Sequence, residues 1–374
     1  MSFVLSEEQT MLRESARRFL SARSPVSALR ALRDFNVADG FSREIWTEVA
    51  DVGLTGILIP EAYGGLGFGH VGAGLVCEEI GRNLASVPFL STAILGADAI
   101  VLAASEADKQ RLLPEIAAGN HLVAVALDEG ARHVPDAVQT TAKKTDKGYV
   151  LNGSKTFVID GHVAESLIVS ARQENGGAYL FLIDPATPGV VIERTIMVDS
   201  HNMARVDLRD VEVGADRLMS DGQDASPTIE RLLDIGRASL AAKMLGIAQE
   251  AFERTVTYLK DRKQFGVTIG SFQGLQHRAA IMYAEIELSK SVVHRALEAI
   301  DSGDADLAKW ASLAKAKTCA TVKLVTNEAI QMHGGIGMTD EFEIGFFLKR
   351  ARVAQQTFGD YAFHADRFAR LNGY

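Results

Sequence analysis

Apolar residues in the first third of the chain recur every three to four positions, which is the period of an amphipathic helix. Ser6 precedes Glu7 and Glu8, so a hydroxyl cap followed by acidic first-turn residues predicts the start of the first helix there. The same period predicts further helices over residues 43–52, 71–83, 93–104 and 106–118. The pattern therefore indicates a helical region whose helices pack on one another.

The pattern changes between about residue 120 and residue 215, where short runs predict strands at 122–127, 166–170, 179–183 and 190–192. Asn152-Gly153 is flanked by apolar runs and predicts a tight hairpin turn. The alternation slips between Leu208 and Val211, which predicts a bulge or bend near Arg209. This segment is expected to form a separate β domain.

Helical periodicity returns at residue 226 and is sustained over 240–259, 273–301 and 306–333. Stripes of this length are typical of a multi-helix bundle. We therefore predict an α+β protein with an N-terminal helical domain (1–119), a central β-sandwich or barrel-like domain (120–222) and a C-terminal four-helix-bundle domain (223–374).

The composition narrows the class of protein. The 374 residues carry 39 basic and 48 acidic side chains, a net charge of −9, which disfavours nucleic acid as a partner. Cys77 and Cys319 lack metal-ligand spacing, so neither a disulfide framework nor a zinc site is expected, and a reducing cytoplasm is the expected location. Pro88 and Asp98 interrupt the most apolar stretch, and the acidic N-terminus is unlike a signal peptide, so neither a membrane span nor export is expected.

Two glycine-rich loops, at residues 65–69 and 334–337, are the places where a phosphate-binding loop would be sought. Neither has the spacing Gly-x-Gly-x-x-Gly and neither follows a strand in a βαβ unit, so a Rossmann fold is rejected. Taken alone, each loop reads as a helix-to-helix turn that needs positive φ. Taken alone, residues 262–266 read as a basic helix end with a glycine stop.

Together, these segments resemble the acyl-CoA dehydrogenase family. Residues 262–266 match its Arg-x-x-Phe-Gly, Gln273 matches the glutamine that follows, and residues 331–337 match its Gln-x-x-Gly-Gly-x-Gly. The early loop 60–65, Asn152-Gly153 and the order of helical, β and helical domains extend the resemblance over essentially the whole chain.

The resemblance implies a flavoprotein in which two subunits share each FAD, so the site requires an oligomer, either a homotetramer or a dimer. A guanidinium suits a pyrophosphate, and glycines let backbone amides approach one closely. By resemblance, the residues that reach the adenosine diphosphate half of a neighbour's FAD are Arg262, Phe265, Gln273, Gln331, Gly334 and Gly335.

The resemblance also implies αβ-desaturation of an acyl-CoA thioester, in which a carboxylate removes the α proton and the β hydrogen leaves as hydride to flavin N5. Many relatives carry this carboxylate as the Glu of Tyr-Glu-Gly-Thr, but residues 356–361 lack a glutamate. Alignment on Arg367 places Asp360 in that slot, whereas alignment on Arg350 places Gly359 there. Asp360 is the candidate base, as an aspartate is in the related nitroalkane oxidases. Its alternative role is the N-cap of the final helix.

Other family members hold the base on the helix that follows the β domain. The residue before Arg237, where that base would stand, is Gly236, and Asp234 lies two residues earlier. Arg237 matches an arginine that lies near base and flavin in the family, so it is expected to assist catalysis. The alternative for Arg237 is a surface ion pair.

The β domain departs further from the family. Leu127 and Asp128 stand in a loop where relatives have a Thr-Glu-Pro-Gly-type sequence that touches flavin and substrate. Phe157, Val158 and Ile159 resemble the family's Trp-Ile-Thr, which packs against the isoalloxazine, and Ile159 lacks the hydroxyl that would bond to the flavin edge. The chain thus keeps the groups for a neighbour's FAD better than those for its own.

The leading hypothesis is an FAD-dependent acyl-CoA dehydrogenase of lipid catabolism, with Asp360 as base, Arg237 assisting and an electron-transfer flavoprotein as acceptor. The alternative is a cofactor-sharing, weakly catalytic or non-catalytic partner subunit of a heteromeric dehydrogenase. A third hypothesis is an oxidase or monooxygenase on the same scaffold. The acyl group cannot be read from a local motif, because specificity depends on pocket volume.

Overall fold

The computed structural model describes residues 5–173 and 176–374. Its first part is helical, as predicted, and Ser6 and Gln9 form a reciprocal capping box at the start of the first helix. The predicted helix over 93–104 is instead a π-helical segment, Phe89–Gly96, followed by a short α-helix. The helices here are α1 (Glu7–Arg23), α2 (Val26–Asp34), α3 (Arg43–Asp51), α4 (His70–Asn83), α5 (Ala97–Ala103) and α6 (Glu106–Ala117).

A curled β-sheet forms the middle of the chain. Its strands are β1 (Val123–Ala126), β2 (Thr141–Thr145), β3 (Gly148–Ile159), β4 (Ser166–Arg172), β5 (Ala178–Ile183), β6 (Val190–Ile196) and β7 (Asn202–Gly214). They are ordered β1-β4-β2-β3-β7-β6, and β5 also pairs with β4. Alternate apolar side chains of these strands form one buried core, which includes Leu151, Val169, Phe181 and Val206.

The predicted hairpin turn at Asn152-Gly153 is wrong. Both residues lie inside the long strand β3, where Asn152 pairs with Thr141 of β2. The glycine serves a close approach, because a Cβ at Gly153 would lie 2.4 Å from Oγ1 of Thr140. The turn between β2 and β3 falls earlier, between Thr145 and Gly148.

The predicted bulge near Arg209 is confirmed. The register of β3 and β7 shifts between Leu151 and Gly153, and Asp210 has a φ of +51°. The amide of Asn152 donates to Asp210 Oδ1 at 3.0 Å, and the backbone N–H of Asp210 donates to Asn152 Oδ1 at 2.9 Å. This reciprocal pair fixes the bend in the strand.

The last part of the chain is helical again. It comprises α7 (Ser226–Asp261), the short strands β8 (Lys263–Gln264) and β9 (Val267–Thr268), α8 (Gln273–Asp301), α9 (Leu307–His333), α10 (Ile344–Gln356) and α11 (Tyr361–Leu371). Among the described residues, every helix is too short or too polar to cross a membrane. Cys77 and Cys319 are free and buried. The predicted fold class, with helical, curled β-sheet and helical domains in that order, is confirmed.

The chain divides into two compact units. One consists of Met1–Asp34, His70–Ser86 and Arg237–Tyr374, and the other consists of Phe35–Gly69 and Val87–Gly236. The domain boundaries predicted from the sequence at residues 119 and 222 stay a prediction.

Two glycines allow α4 and α7 to cross at close range in the first of these units. A Cβ at Gly246 would lie 1.9 Å from the carbonyl oxygen of Glu78, and one at Gly81 would lie 2.1 Å from the carbonyl oxygen of Lys243. Both obstacles are backbone atoms, which cannot rotate away as the end of a side chain can. The crossing therefore requires glycine at both positions.

Gly246→Ala should lower the free energy of unfolding by about 1–3 kcal/mol, the usual cost of overpacking a core. Urea unfolding followed by circular dichroism measures the change. Gly345→Ala is the matched control, because outside its own helix backbone no described atom lies within 4 Å of the ideal Cβ of this glycine of α10. That variant should be neutral or slightly stabilising, and equal losses at both positions would contradict the close crossing.

Candidate functional site

The segment 262–266 forms a β-hairpin rather than a capped helix end. The strands β8 and β9 pair through Gln264 and Val267, and the two residues between them have positive φ, +54° at Phe265 and +80° at Gly266. Two such residues form the type I′ turn that suits a two-residue hairpin. The sequence signal for this turn was Gly266, which the helix-stop interpretation had already used.

Side chains around this hairpin are exposed and available to another molecule. Phe265 is 89% exposed, and its ring meets the edge of Phe272 at 6.1 Å. Arg262 is exposed, and within the described chain its guanidinium has no hydrogen-bond or ion-pair partner. Gln273 is the first residue of α8 and is also exposed. The fold thus leaves these donors free for a ligand.

The Gln-x-x-Gly-Gly-x-Gly segment begins in the last turn of α9 and continues as the 3₁₀ turn Gly334–Met338. Gln331 is exposed, and Gly334 has a φ of +63°. The ideal Cβ of Gly335 would have no described atom within 4 Å. Because the chain's own packing does not require glycine there, the open backbone at Gly335 suits the close approach of another molecule.

The fold brings these two motifs to the same place. The ring of Tyr258 stacks on His333 with centroids 4.4 Å apart, and its hydroxyl donates to the carbonyl of His333 at 3.4 Å. Tyr258 lies one turn before Arg262, whose N–H bonds to its carbonyl at 2.9 Å, and His333 directly precedes Gly334. The hairpin and the glycine turn are therefore neighbours.

Large apolar side chains are exposed in the same motifs and along α8. The exposed fraction is 78% at Met338, and exposed apolar groups of this size mark interaction surfaces. The others are Phe265, Phe272, Ile281, Tyr283, Leu288 and Ile336.

Asp360 lies at the start of α11, and its Oδ1 accepts a hydrogen bond from the backbone N–H of Phe363 at 2.9 Å. The N-cap role anticipated from the sequence is therefore confirmed. A carboxylate has two oxygens and several lone pairs, so the cap leaves acceptor capacity for a second role. Asp360 lines a cavity of about 620 Å³ together with Lys323, Arg352 and Tyr361.

Arg237 is completely buried, so its interpretation as part of a surface ion pair is wrong. Its Nε lies 3.5 Å from the carbonyl oxygen of Phe358, and its guanidinium lies 5.5 Å from the ring centre of Phe363. These contacts direct Arg237 to the loop that precedes Asp360. Asp234 is buried one turn earlier on the same helix.

Two buried residues that contact this loop, Lys315 of α9 and His364 of α11, were not identified from the sequence. Lys315 of α9 donates to the carbonyls of Ala354, Gln355 and Gly359. A signal for it existed, because Lys315 shares the buried side of α9 with Ala311 and Val322, and a lysine in an apolar stripe requires buried partners.

His364 is completely buried beneath the same loop. Its Nε2 lies 2.9 Å from the carbonyl oxygen of Phe358. Burial, followed by the positive charges of Lys315 and Arg237, lowers the pKa of His364 to about 2. The imidazole is therefore neutral, and its Nε2–H donates to the carbonyl.

This neutral imidazole predicts a loss of stability in acid. The folded pKa of about 2 lies below the unfolded value of about 6.5, so between these values only the unfolded chain binds the proton. From pH 7 to pH 5, His364 should lower the free energy of unfolding by about 2 kcal/mol. Urea unfolding at both pH values measures this change. His364→Gln can donate to Phe358 without titrating and should remove that part of the slope, and an unchanged slope would contradict the prediction.

In the β domain, Lys155 joins the two segments that hold the candidate flavin contacts. Its completely buried Nζ lies 2.6 Å from Glu129 Oε1 and 3.4 Å from the carbonyl oxygen of Leu127, and burial lowers its pKa to about 8. The neighbouring N–H of Thr156 donates to the carbonyl of Asp128 at 2.8 Å. The loop that contains Leu127 and Asp128 is thereby tied to β3.

The next residues of β3 are bulged, with a register shift between Lys155 and Val158. Phe157 has a φ of +53° and is 43% exposed, whereas the side chains of Val158 and Ile159 are buried. A ligand on this surface could therefore meet the ring of Phe157, but it could meet only the backbone of the other two.

Comparison with known families covers most of the chain in three parts. The N-terminal domain of acyl-CoA dehydrogenase matches residues 6–120, its middle domain matches residues 127–211 and its C-terminal domain matches residues 227–371. The matches follow the same order as the helical, β and helical parts of the fold.

Individual relatives extend over nearly the full length. A probable acyl-CoA dehydrogenase, YngJ of Bacillus subtilis, is 31% identical over 366 residues, or 95% of each chain. The butyryl-CoA dehydrogenase structure from Megasphaera elsdenii has a TM-score of 0.90 at 27% identity and covers 100% of both chains. The ChsE4-ChsE5 complex from Mycobacterium tuberculosis also gives 0.90 with 100% coverage of both chains, at 25% identity.

Relatives of the chain include both dehydrogenases and reductases. The dehydrogenases among them are oxidoreductases that act on CH–CH groups. The full-length identity, the three domain matches and the shared fold lead to one conclusion. This chain is a member of the acyl-CoA dehydrogenase family.

Proposed function

We propose that the protein is an FAD-dependent acyl-CoA dehydrogenase that converts an acyl-CoA thioester into its 2-enoyl-CoA. The observation that carries the proposal is the pairing of an exposed, unpartnered Arg262 with the open glycine turn at Gly334 and Gly335. A guanidinium next to accessible backbone amides is suited to a pyrophosphate. Because members of the family generally bind FAD, we expect this pyrophosphate to be that of FAD.

The residues present fit this cofactor. Arg262, Gln273 and Gln331 offer exposed donors and Phe265 offers an exposed aromatic face. The backbone at Gly335 is open to a phosphate, because no described atom lies within 4 Å of its ideal Cβ. Phe157 and the loop of Leu127 and Asp128 are the proposed contacts for the isoalloxazine half. Bound FAD would supply the acceptor for the β hydrogen and its electron pair.

The chain's own residues bind and orient the thioester and move the α proton. In this proposal, Asp360 accepts the α proton on the carboxylate oxygen that is not engaged by the N–H of Phe363. Arg237 supports the loop before Asp360, because its Nε faces the carbonyl of Phe358 in that loop. The two residues therefore have different tasks, proton transfer and support of the loop.

The proposal includes an oligomer, a homotetramer or dimer, because Arg262 and Gly335 are assigned to a neighbour's FAD. The exposed apolar side chains of the hairpin and of α8 are consistent with such an interface. An electron-transfer flavoprotein is the proposed electron acceptor, and cytoplasmic lipid catabolism is the proposed setting.

Anaerobic titration with acyl-CoAs tests the function. A suitable straight, branched or cyclic substrate should bleach the flavin absorbance and yield 2-enoyl-CoA in equal amount. Aerobic formation of hydrogen peroxide at the same rate would instead favour an oxidase. A flavin that no acyl-CoA bleaches would contradict the proposal for this chain alone.

A second candidate is a partner subunit that lends its cofactor-binding groups to a catalytic companion. Its support is that residues 356–361 lack the glutamate of the family's Tyr-Glu-Gly-Thr, and that a related structure is a complex of two named components, ChsE4 and ChsE5. Co-expression with a second acyl-CoA dehydrogenase-like chain distinguishes the two functions. Activity that appears only with the companion, and survives Asp360→Asn in this chain, would favour the partner role.

A further inference from the structure

Lys315 occupies an unusual place for a lysine, because its side chain is completely buried inside the C-terminal helices. It lies in the middle of α9, on the side of the helix that buries Ala311, Thr318 and Val322. Burial of an ammonium group is costly unless its hydrogen-bond donors are satisfied. The contacts of its Nζ therefore decide what this residue does.

The ammonium has three carbonyl partners, and Cys319 Sγ also lies 3.6 Å from Nζ. Nζ lies 3.1 Å from the oxygen of Ala354, 3.1 Å from that of Gln355 and 2.8 Å from that of Gly359. A neutral amine has two hydrogens and could not donate to all three, so the arrangement fits the protonated form. The three carbonyl oxygens together bind the ammonium group of Lys315.

Two of these carbonyls belong to the end of α10. Ala354 and Gln355 lie in the last turn of that helix, where carbonyls lack partners within the helix and the helix dipole is negative. The third carbonyl, of Gly359, lies beyond the helix and directly before Asp360. Lys315 thus joins the rigid end of α10 to the residue beside the candidate base.

The loop between α10 and α11 has a backbone that needs such support. Phe358 and Gly359 have φ values of +56° and +101°, and for Phe358 that conformation is strained. The carbonyl of Phe358 is held by His364 at 2.9 Å and faces Nε of Arg237 at 3.5 Å. Side chains from three other helices therefore hold the backbone that leads to Asp360.

We propose that Lys315 is a positioning residue for α-proton removal, because it fixes the backbone at Gly359 and so the position of the Asp360 carboxylate. The inference rests on the proposed function. Loss of the ammonium removes the strong donor from three buried carbonyls, although that of Gln355 keeps a weak donor, the Cys319 thiol at 3.8 Å. The loop should therefore open more often. A base displaced by about 1 Å can cost on the order of 10²-fold in rate.

Lys315→Met tests this, because methionine fills similar space without a donor. Lys317→Met is the matched control, since Lys317 lies two residues later on α9 and pairs with Glu285 of α8. In hydrogen exchange followed by mass spectrometry, amides of residues 357–363 should exchange about 10-fold faster or more in Lys315→Met and at the parental rate in Lys317→Met.

The second readout separates positioning from general loss of structure. In stopped-flow reduction of the FAD-loaded protein by acyl-CoA, Lys315→Met should slow the limiting rate about 10- to 100-fold. The FAD content and the acyl-CoA concentration at half-saturation should stay within about 2-fold of the parent, because Lys315 is fully buried and does not line the cavity that Asp360 lines. A rise in the half-saturating concentration at an unchanged limiting rate would overturn the proposal.

Lys315→Gln extends the test if the methionine variant fails to fold, since its amide can still donate to two of the three carbonyls. It should show intermediate exchange and an intermediate rate. Failure of both variants to fold, or parental exchange at residues 357–363 in a folded variant, would overturn the proposal. If no acyl-CoA bleaches the parental flavin, the proposed function fails, while hydrogen exchange still decides whether Lys315 holds the loop.

Discussion

Asp360→Asn should slow flavin reduction by acyl-CoA by at least about 10²-fold, which is an ordinary contribution of a general base. Asparagine keeps the size of the side chain and an oxygen that can accept from the N–H of Phe363. It loses the basicity that removal of the α proton needs. Stopped-flow absorbance under anaerobic conditions measures the rate.

The structure indicates that Asp360→Asn removes the basicity of the side chain but keeps its role as a helix cap. Asp360 caps α11, and Asn and Asp cap helices about equally well. Folding and FAD content should therefore survive in Asp360→Asn, whereas Asp360→Ala should lose about 1 kcal/mol of stability through the missing cap. Asp360→Glu should retain part of the rate, because its displaced carboxylate stays a base.

The rival base is Asp234, which is buried on α7. Asp234→Asn should reduce the flavin near the parental rate if Asp360 is the base. A parental rate in Asp360→Asn would remove Asp360 from the mechanism and leave Asp234 or a companion subunit to be tested.

Arg262→Ala should weaken FAD binding by about 10- to 100-fold, the worth of about 1.5–3 kcal/mol for hydrogen bonds to a charged group. Since Arg262 is exposed and unpartnered in the described chain, its loss should leave the stability of the apoprotein unchanged. Flavin fluorescence released on dilution measures the affinity. Sedimentation of the same samples reports the oligomer.

Lys263→Ala is the matched control, because it removes the same charge from the next residue of the exposed hairpin. It should weaken FAD binding only slightly, through the loss of a distant charge. Equal losses in the two variants would point to net charge rather than a contact by Arg262. A parental monomer that holds FAD at full occupancy would contradict the shared site.

The sequence was a good guide where the signal was local. Ser6 formed the expected hydroxyl cap, and the slipped alternation near Arg209 became the bulge in β7. The cap depends on neighbours in the chain, and the bulge shifts the alternation of side chains along its own strand, so spacing reveals both. The family motifs at residues 262–266 and 331–337 could be recognised for a related reason, since each is a short continuous run of the sequence.

Local signals gave wrong predictions in two places where the backbone pairs with another strand. Asn152-Gly153 is a strong turn signal, yet pairing of β3 with β2 and β7 carries the strand straight through it. Residues 262–266 read as a helix stop, but Val267 returns to pair with Gln264 and makes a hairpin. In both places the hydrogen bonds of strand pairing decided the backbone. At Asn152 one pairing partner is the distant strand β7, whereas at Gly266 the partners are local and the same glycine suited both a helix stop and a hairpin turn.

By itself, then, the sequence determined most of the helical and β segments of this protein, because periodicity records which faces are buried. It also contained the family motifs, and the resemblance that they carry implied the candidates Asp360 and Arg237. The tertiary structure alone decided that Arg237 is buried and that Lys315 and His364 donate hydrogen bonds to the loop between α10 and α11. The physical reason is that a buried charge is tolerable only beside particular distant carbonyls, and only folding brings those together.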